Sequence, residues 1–385
     1  MREEFVYLDN AATSWPKPGA VYAAINACMQ HAGANPGRSS HRMSVRAERV
    51  MDETRLLAAR LFNAPGPSHV VFTLNCTDSL NIALKGLVRE GSRVVTGPYE
   101  HNSVVRPLRS LEREGAVVRV ARAAPGSGVD MDDFEDLCRE GVDVAVISHA
   151  SNVTGRVEPV AELAGIVHRN GGLLVVDAAQ TAGTLEIDLV SSGIDVLAAP
   201  GHKGLMGPMG VGLLVFGRDL DLRPWREGGT GFRSEDEEQP GSLPWRLEAG
   251  TPNLPGIAGL GAGIRFVESE GIRSIAEKES SLARELTRGL AEIPGVRLYS
   301  DPEFTQSGIV SFTIDSLDVS MAGVMLDEAS GIGVRAGLHC APAAHRSLGT
   351  FPGGTLRASF GYFNNNDHVE RLLAAVRQLA VHEIR

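Results

Sequence analysis

"GLLVVDAAQTAG", residues 172–183, runs through Leu173, Leu174, Val175 and Val176 without a polar interruption, then stops on Asp177 with Gln180 one short turn later. A short β-branched run with no alternation is the pattern of a strand buried on both faces, as in a sheet covered by helices. A carboxylate at the end of such a strand is costly to bury unless a cation or a hydrogen-bond donor meets it. The stretch therefore specifies a strand and, at its carboxyl end, asks for a partner.

Six further runs of the same kind surround it: "HVVFTL" (69–74), "SRVVT" (92–96), "AVVRVA" (116–121), "VDVAVIS" (142–148), "IDVLAA" (194–199) and "VGLLVF" (211–216). Amphipathic stretches separate them. In "EPVAELAGIVHRN" (158–170), Val160, Leu163, Ala164 and Val167 share one helical face. Alternation of this kind predicts an α/β fold whose large domain is built on one seven-stranded, mainly parallel sheet. The segment 226–255 is rich in Gly, Pro and acidic residues, lacks a period and reads as a long surface loop; no role is assigned to its acidic part, 231–244. Beyond it come helices near 256–270 and 274–292, strands near 308–314 and 355–360, and a final helix with Val369, Leu372, Leu373, Val376 and Leu379 on one face. That pattern is a smaller α+β domain. The expected organisation is an N-terminal arm (1–16), a large domain (17–255) and a small C-terminal domain (256–385).

With 385 residues, 43% hydrophobic and 22% charged, the composition is that of an ordinary globular protein. A net charge of -10 argues against a nucleic-acid partner, which needs a basic surface. The acidic start "MREEFVYLDN" is unlike a signal peptide, and no apolar run reaches the roughly 20 residues of a membrane span, so a cytoplasmic protein is expected. Cys28, Cys76, Cys138 and Cys340 have neither the spacing of a metal site nor that of a disulfide framework, and no metal is expected.

Ligands of open α/β sheets bind beyond the carboxyl ends of the strands. "FTLNCTDSLN" (72–81) passes there from strand to helix at Cys76, Thr77 and Asp78, where exposed N–H groups suit a phosphate, although plain capping explains the same residues. "VTGPYEHNSVVRP" (95–107) presents His101. "DVLAAPGHKGLMGPMGVGLLVF" (195–216) holds Lys203 in a turn punctuated by four glycines. A lysine in a turn is ordinarily a surface charge. Beside a strand-end aspartate, however, the pair fits a Schiff-base lysine and the pyridinium partner of pyridoxal 5′-phosphate.

"YLDNAAT" (7–13), "EHNS" (100–103), "HASNVTG" (149–155), "VVDAAQTAG" (175–183), "GHKG" (201–204), "EAGTPN" (248–253), "RAGLHCAP" (335–342) and "LRASFGYFN" (356–364) occur in the order and approximate spacing of class V aminotransferase-fold enzymes. The chain resembles their cysteine desulfurase and selenocysteine lyase branch from about residue 7 to about 375. The resemblance implies the fold type I architecture of pyridoxal-phosphate transferases and a set of roles. Lys203 would carry the cofactor as a Schiff base and shuttle protons. Asp177 would keep the pyridine nitrogen protonated, and Gln180 would donate to the phenolic oxygen. His101 would stack on the ring and serve acid/base steps. Thr77, His202 and the backbone at Cys76 would hold the phosphate. Asn152 would lie near cofactor and substrate, and Arg357 and Asn10 would bind the substrate, Arg357 by its carboxylate. Thr251 would reach the phosphate of a neighbouring subunit, which implies a homodimer with shared sites. Pro200, where such enzymes often carry a hydroxyl, and Cys76, where threonine is common, depart from the pattern.

Cys340 would then be the nucleophile that takes sulfur from L-cysteine as a persulfide, leaving L-alanine, with Arg335 and His339 near enough in sequence to favour the thiolate. A sulfur-acceptor protein is implied as partner. The alternatives with the same cofactor are a selenocysteine lyase acting on L-selenocysteine, a C–S lyase releasing pyruvate, and an aminotransferase or epimerase of the same class. A Rossmann-like binding module would leave Lys203, Asp177 and Arg357 without a task.

Overall fold

The structure, a computed structural model, describes residues 5–37, 41–124, 128–300, 307–315 and 317–382. The chain opens with β1 (Val6–Tyr7), α1 (Gly19–His31) and α2 (Arg42–Leu61). There follow β2 (Val70–Thr73), α3 (Cys76–Leu87), β3 (Arg93–Thr96), α4 (Asn102–Arg113), β4 (Val117–Val120) and α5 (Met131–Arg139). Next come β5 (Val144–Ser148), α6 (Val160–Arg169), β6 (Leu173–Asp177), α7 (Leu189–Ser192), β7 (Val196–Pro200) and β8 (Gly212–Phe216). After the long loop stand α8 (Leu254–Glu270), α9 (Ile272–Ala291), β9 (Val296–Leu298) and β10 (Ile309–Ile314). The chain ends with α10 (Val319–Ser330), β11 (Ile332–Gly333), β12 (Arg335–Gly337), α11 (Pro342–Ser347), β13 (Thr355–Ser359) and α12 (Asn366–His382).

All seven apolar runs enter one sheet, in the order β2-β8-β7-β6-β5-β3-β4. Its strands pair in parallel except β8, which runs antiparallel to β2 and β7. Successive side chains of a strand point to opposite faces. Leu174 and Val176 of β6 accordingly join Ala145 and Ile147 of β5 in one core. Val175, Val144 and Val146 pack with α3 and α4 residues, Leu80 and Leu108 among them, in the other. Two cores, one on each face, are the physical reason the inner strands carry no polar alternation; β4, at the sheet edge, carries Arg119 and is partly exposed.

The second sheet, β12-β13-β10-β9, is antiparallel, and α9, α10 and α12 pack against it in a core of its own. One detail differs from expectation. Leu254, Ile257, Leu260 and Ile264 of α8 belong to the core of the large domain, so packing puts the division near Gly271, where α9 begins, rather than after residue 255. The arm is built into the small domain: β1 pairs with β11, and Val6 and Leu8 are buried in its core. The long loop is also tied down. Arg55 of α2 donates to both carboxylate oxygens of Glu248, at 2.7 and 2.9 Å, and Glu248 accepts Phe72 N–H at 2.7 Å.

Candidate active site

The carboxyl ends of β5, β6 and β7 open onto a cavity of about 260 Å³ whose far wall is β12, β13 and the turn that follows β12. Asp177 ends β6, opposite Ser148 of β5 in register, and is 4% exposed. Its Oδ1 accepts Ala179 N–H at 2.9 Å and the Cys76 thiol at 3.4 Å. Burial, reinforced by the Asp177 charge, raises the Cys76 thiol well above its ordinary value, so this cysteine stands as a neutral donor. Lys203 follows β7 into the same cavity. Burial lowers its ammonium from 10.5 to about 8 against the opposing pull of Asp177, with Arg357 adding to the lowering. The cation that the strand-end carboxylate calls for is thus a lysine able to lose its proton near neutrality.

The anion side of the cavity is the N-terminus of α3. The Asn75 side chain caps it by accepting Asp78 N–H at 3.0 Å, which leaves the earlier N–H groups of Cys76 and Thr77 without intrahelical acceptors. His202, on the cavity wall, carries a buried Nδ1 without a hydrogen-bond partner, and burial, with Lys203 and Lys17, lowers its pKa to about 4. A neutral imidazole, two free backbone donors and a helix N-terminus together fit a phosphate group. Thr77 Oγ1 lies 2.9 Å from Ser103 Oγ, which lies 2.8 Å from His101 Nδ1. The same Nδ1 accepts Ser103 N–H at 3.1 Å, so hydrogen-bond geometry assigns the ring proton to Nε2. Burial lowers the pKa of His101 and Asp177 opposes it. Glu100, one residue earlier, is buried and accepts Ser148 N–H and Oγ–H, the latter at 2.6 Å, tying the His101 loop to the end of β5.

On the far wall, Arg357 donates through Nη1 to the Asn152 carbonyl at 3.0 Å and through Nη2 to Asp9 at 2.8 Å, while its Nε is buried without a partner. Arg335 stands directly opposite Arg357 in the β12–β13 register, so two guanidinium groups share this wall. Gln180 lines the cavity with its Nε2 engaged by the Ala11 carbonyl at 3.2 Å. Cys340 is exposed at the rim. It and His339 have φ of 58° and 49°, two consecutive non-glycine residues in the left-handed region, which is uncommon. The turn is held from the other domain: Asn102 N–H donates to the Cys340 carbonyl at 2.8 Å and Asn152 Nδ2 to the His339 carbonyl at 2.7 Å.

The structure thus brings together Cys76, Thr77, His101, Asn152, Asp177, Gln180, His202, Lys203, Cys340 and Arg357 around one cavity. One residue expected at this site lies off the cavity. Asn10 lines a smaller adjoining cavity, with its amide spent on Ser359, Asn364 and Trp15, so its side chain staples the arm to the small domain. Thr251, expected to serve a neighbouring subunit, is exposed in a separate groove of about 400 Å³ beside Phe232 and Trp245. His339 does not supply the charge expected beside Cys340: its Nε2 is paired with Thr355 Oγ1 at 3.0 Å, and burial and Arg357 push its pKa far down, leaving it neutral. Of the neighbours expected to favour the thiolate, Arg335 alone is a cation. Sequence reasoning missed Asp9, Ser103 and Glu100, all inside quoted motifs; a buried arginine needs a carboxylate, but only packing shows that Asp9 is the one that meets Arg357.

Fold and site together define a two-domain α/β enzyme with a lysine-bearing turn and a strand-end aspartate between the domains. The profile of the family Aminotransferase class-V matches residues 6–372, and the chain belongs to that family. It is 37% identical over 383 residues to a probable cysteine desulfurase of Methanothermobacter thermautotrophicus, covering 98% of this chain and 95% of the other. It is 35% identical to one of Pyrococcus abyssi, with the same shares covered. Among solved structures, the apo cysteine desulfurase from Thermococcus onnurineus superposes with a TM-score of 0.92 at 34% identity, over 98% of this chain and 95% of that one. An Escherichia coli cysteine desulfurase gives 0.88 at 30% identity, over 99% and 96%.

Proposed function

We propose that the chain is a pyridoxal 5′-phosphate-dependent cysteine desulfurase that converts L-cysteine to L-alanine and keeps the sulfur on Cys340 as a persulfide. The observation that carries this reading is the opening of the Cys340 thiol onto the same cavity as Lys203, Asp177 and Arg357. The donor set fits the cofactor: Lys203 would hold its aldehyde carbon, Asp177 its ring nitrogen, Gln180 its phenolic oxygen, and the α3 N-terminus, Thr77 and His202 its phosphate. Thr251 of the partner subunit would complete the phosphate site in a homodimer. Bound there, pyridoxal 5′-phosphate supplies an electron sink for the pair left at the substrate α-carbon.

The remaining work falls to the chain. Arg357, with Arg335 beside it, presents guanidinium nitrogens to the substrate carboxylate, a planar match that fixes the substrate's orientation. Lys203, at about 8, can take a proton from the α-carbon and return it. Neutral His101, its Nδ1 fixed by Ser103, offers Nε2–H to the reacting groups. The Cys340 thiolate attacks the substrate sulfur; the C–S bond breaks, its electron pair goes to carbon, and protonation of that carbon completes L-alanine. Exposure of Cys340 at the rim leaves the persulfide open to a sulfur-acceptor protein.

The test is incubation of the reconstituted enzyme with L-cysteine, and in parallel with L-selenocysteine, scoring alanine, pyruvate and the mass of the Cys340 peptide. Cys340→Ala is expected to retain bound cofactor and to lose alanine formation from cysteine by more than about a hundredfold. Alanine formed at the wild-type rate by that variant would remove the thiol from the chemistry, and pyruvate as product would make the chain a C–S lyase.

A further inference from the structure

The carbonyl of His202, one bond before Lys203, gathers an unusual number of donors, all from one short stretch, residues 13–17, where the N-terminal arm ends. Ser14 N–H lies 3.1 Å from it, Thr13 Oγ1 3.1 Å, Ser14 Oγ 3.3 Å and Lys17 Nζ 2.7 Å. Ser14 Oγ also lies 2.9 Å from the next carbonyl, that of Lys203 itself, and receives Lys17 Nζ at 2.7 Å. Lys17 is partly buried, and burial alone lowers its pKa, to about 8, with no carboxylate among the described residues holding it up. A desolvated ammonium aimed at a neutral carbonyl gives up hydration without a counter-ion in return, which a solvated lysine stem on an arm has no need to do.

We propose that Lys17 is a positioning residue for Lys203: its ammonium, with Ser14, clamps the peptide unit between His202 and Lys203 and so sets the direction in which the Lys203 side chain enters the cavity. The inference rests on the reading of Lys203 as the cofactor-bearing lysine. Gly204, on the other side, packs against the Ala182 carbonyl, where a Cβ would come within 2.5 Å, so the turn is gripped from both flanks. The glycines let the turn bend, and the arm supplies the polar hold that chooses one orientation. A hydrogen bond from a charged donor is among the stronger ones available for that purpose.

The test uses Lys17→Met, which keeps the stem but removes the donors, and Lys17→Arg, which keeps a cation, both as reconstituted holoenzymes with thermal melts recorded alongside. Lys17→Met is expected to lower kcat by about tenfold with KM for cysteine little changed, because Arg357 still binds the carboxylate, and to speed release of pyridoxal phosphate by a similar factor. Lys17→Arg is expected to recover part of both losses. In a Lys203→Ala background, Lys17→Met should add nothing to the release rate, since the residue through which it acts is gone. Lys17→Met with wild-type kcat and cofactor release would overturn the proposal, and so would an equal acceleration of release in the Lys203→Ala background, which would assign Lys17 to the phosphate instead. The parent reading is checked separately by borohydride reduction of the wild type and peptide mapping. No pyridoxyl group on Lys203 would sink that reading; a labelled Lys203 with an indifferent Lys17→Met sinks only this one.

Discussion

Asp177 tunes Lys203 across the ends of β6 and β7. Burial disfavours the ammonium and the carboxylate favours it, and the balance is a lysine at about 8. The neutral amine is the form that captures an aldehyde, so in cofactor-free protein the rate of pyridoxal phosphate uptake should rise with pH through a midpoint of about 8 and level off above it. Asp177→Asn removes the negative charge that raises this pKa, and the midpoint is expected to move lower, as stopped-flow absorbance would register; a midpoint that stays or climbs would mean the carboxylate does not couple to the lysine. Both residues were legible in the chain because each ends or follows an apolar run. Asp9 was not, although it lies in a quoted motif, because its task is defined by Arg357, 348 residues away, and only packing brings the two to 2.8 Å.

Strands β12 and β13 form the element that carries the thiol. Their pairing delivers Arg335 and Arg357 to one wall and leads directly into the left-handed turn at His339 and Cys340. Gly354, at the start of β13, has φ of 81°, and a Cβ there would come within 2.2 Å of the Gly337 backbone on β12. Gly354→Ala therefore forces the two strands apart in addition to straining its own backbone, and more than about 1 kcal/mol of stability should be lost. The expected signature is loss of persulfide formation on Cys340 with pyridoxal phosphate still held, measured by peptide mass and visible absorbance; retention of both at wild-type level would show that the strand pair does not govern the thiol. The spacing from Arg335 to Cys340 already suggests a compact loop. Its anchoring to Asn102 and Asn152 was not readable, since a backbone carbonyl carries no sequence signal of its own.

At the scale of the whole molecule, the arm joins what the two sheets leave separate: Val6 and Leu8 sit in the small-domain core, Asp9 holds Arg357, and Thr13, Ser14 and Lys17 hold the Lys203 turn. Leu8 is fully buried, and Leu8→Ala is expected to cost about 2–5 kcal/mol in urea unfolding. Because the arm spans both domains, the same variant should also hold pyridoxal phosphate less firmly; unfolding at the wild-type midpoint would return the arm to the status of an accessory. Seven apolar runs, helical faces between them, and reactive side chains at the run ends are properties of neighbouring residues, and through them the sequence by itself determined the α/β sheet and its seven strands and put Thr77, His101, Asp177 and Lys203 at strand ends; the other candidate site residues were named only by the family resemblance. The domain boundary near Gly271, the neutral state of His339, the position of Asn10 off the cavity and the clamp on His202 were decided only by the tertiary structure. Each depends on burial or on contacts between residues far apart in the chain, 185 positions for Lys17 and His202 and 187 for Asn152 and His339, and such contacts exist only once the domains have packed.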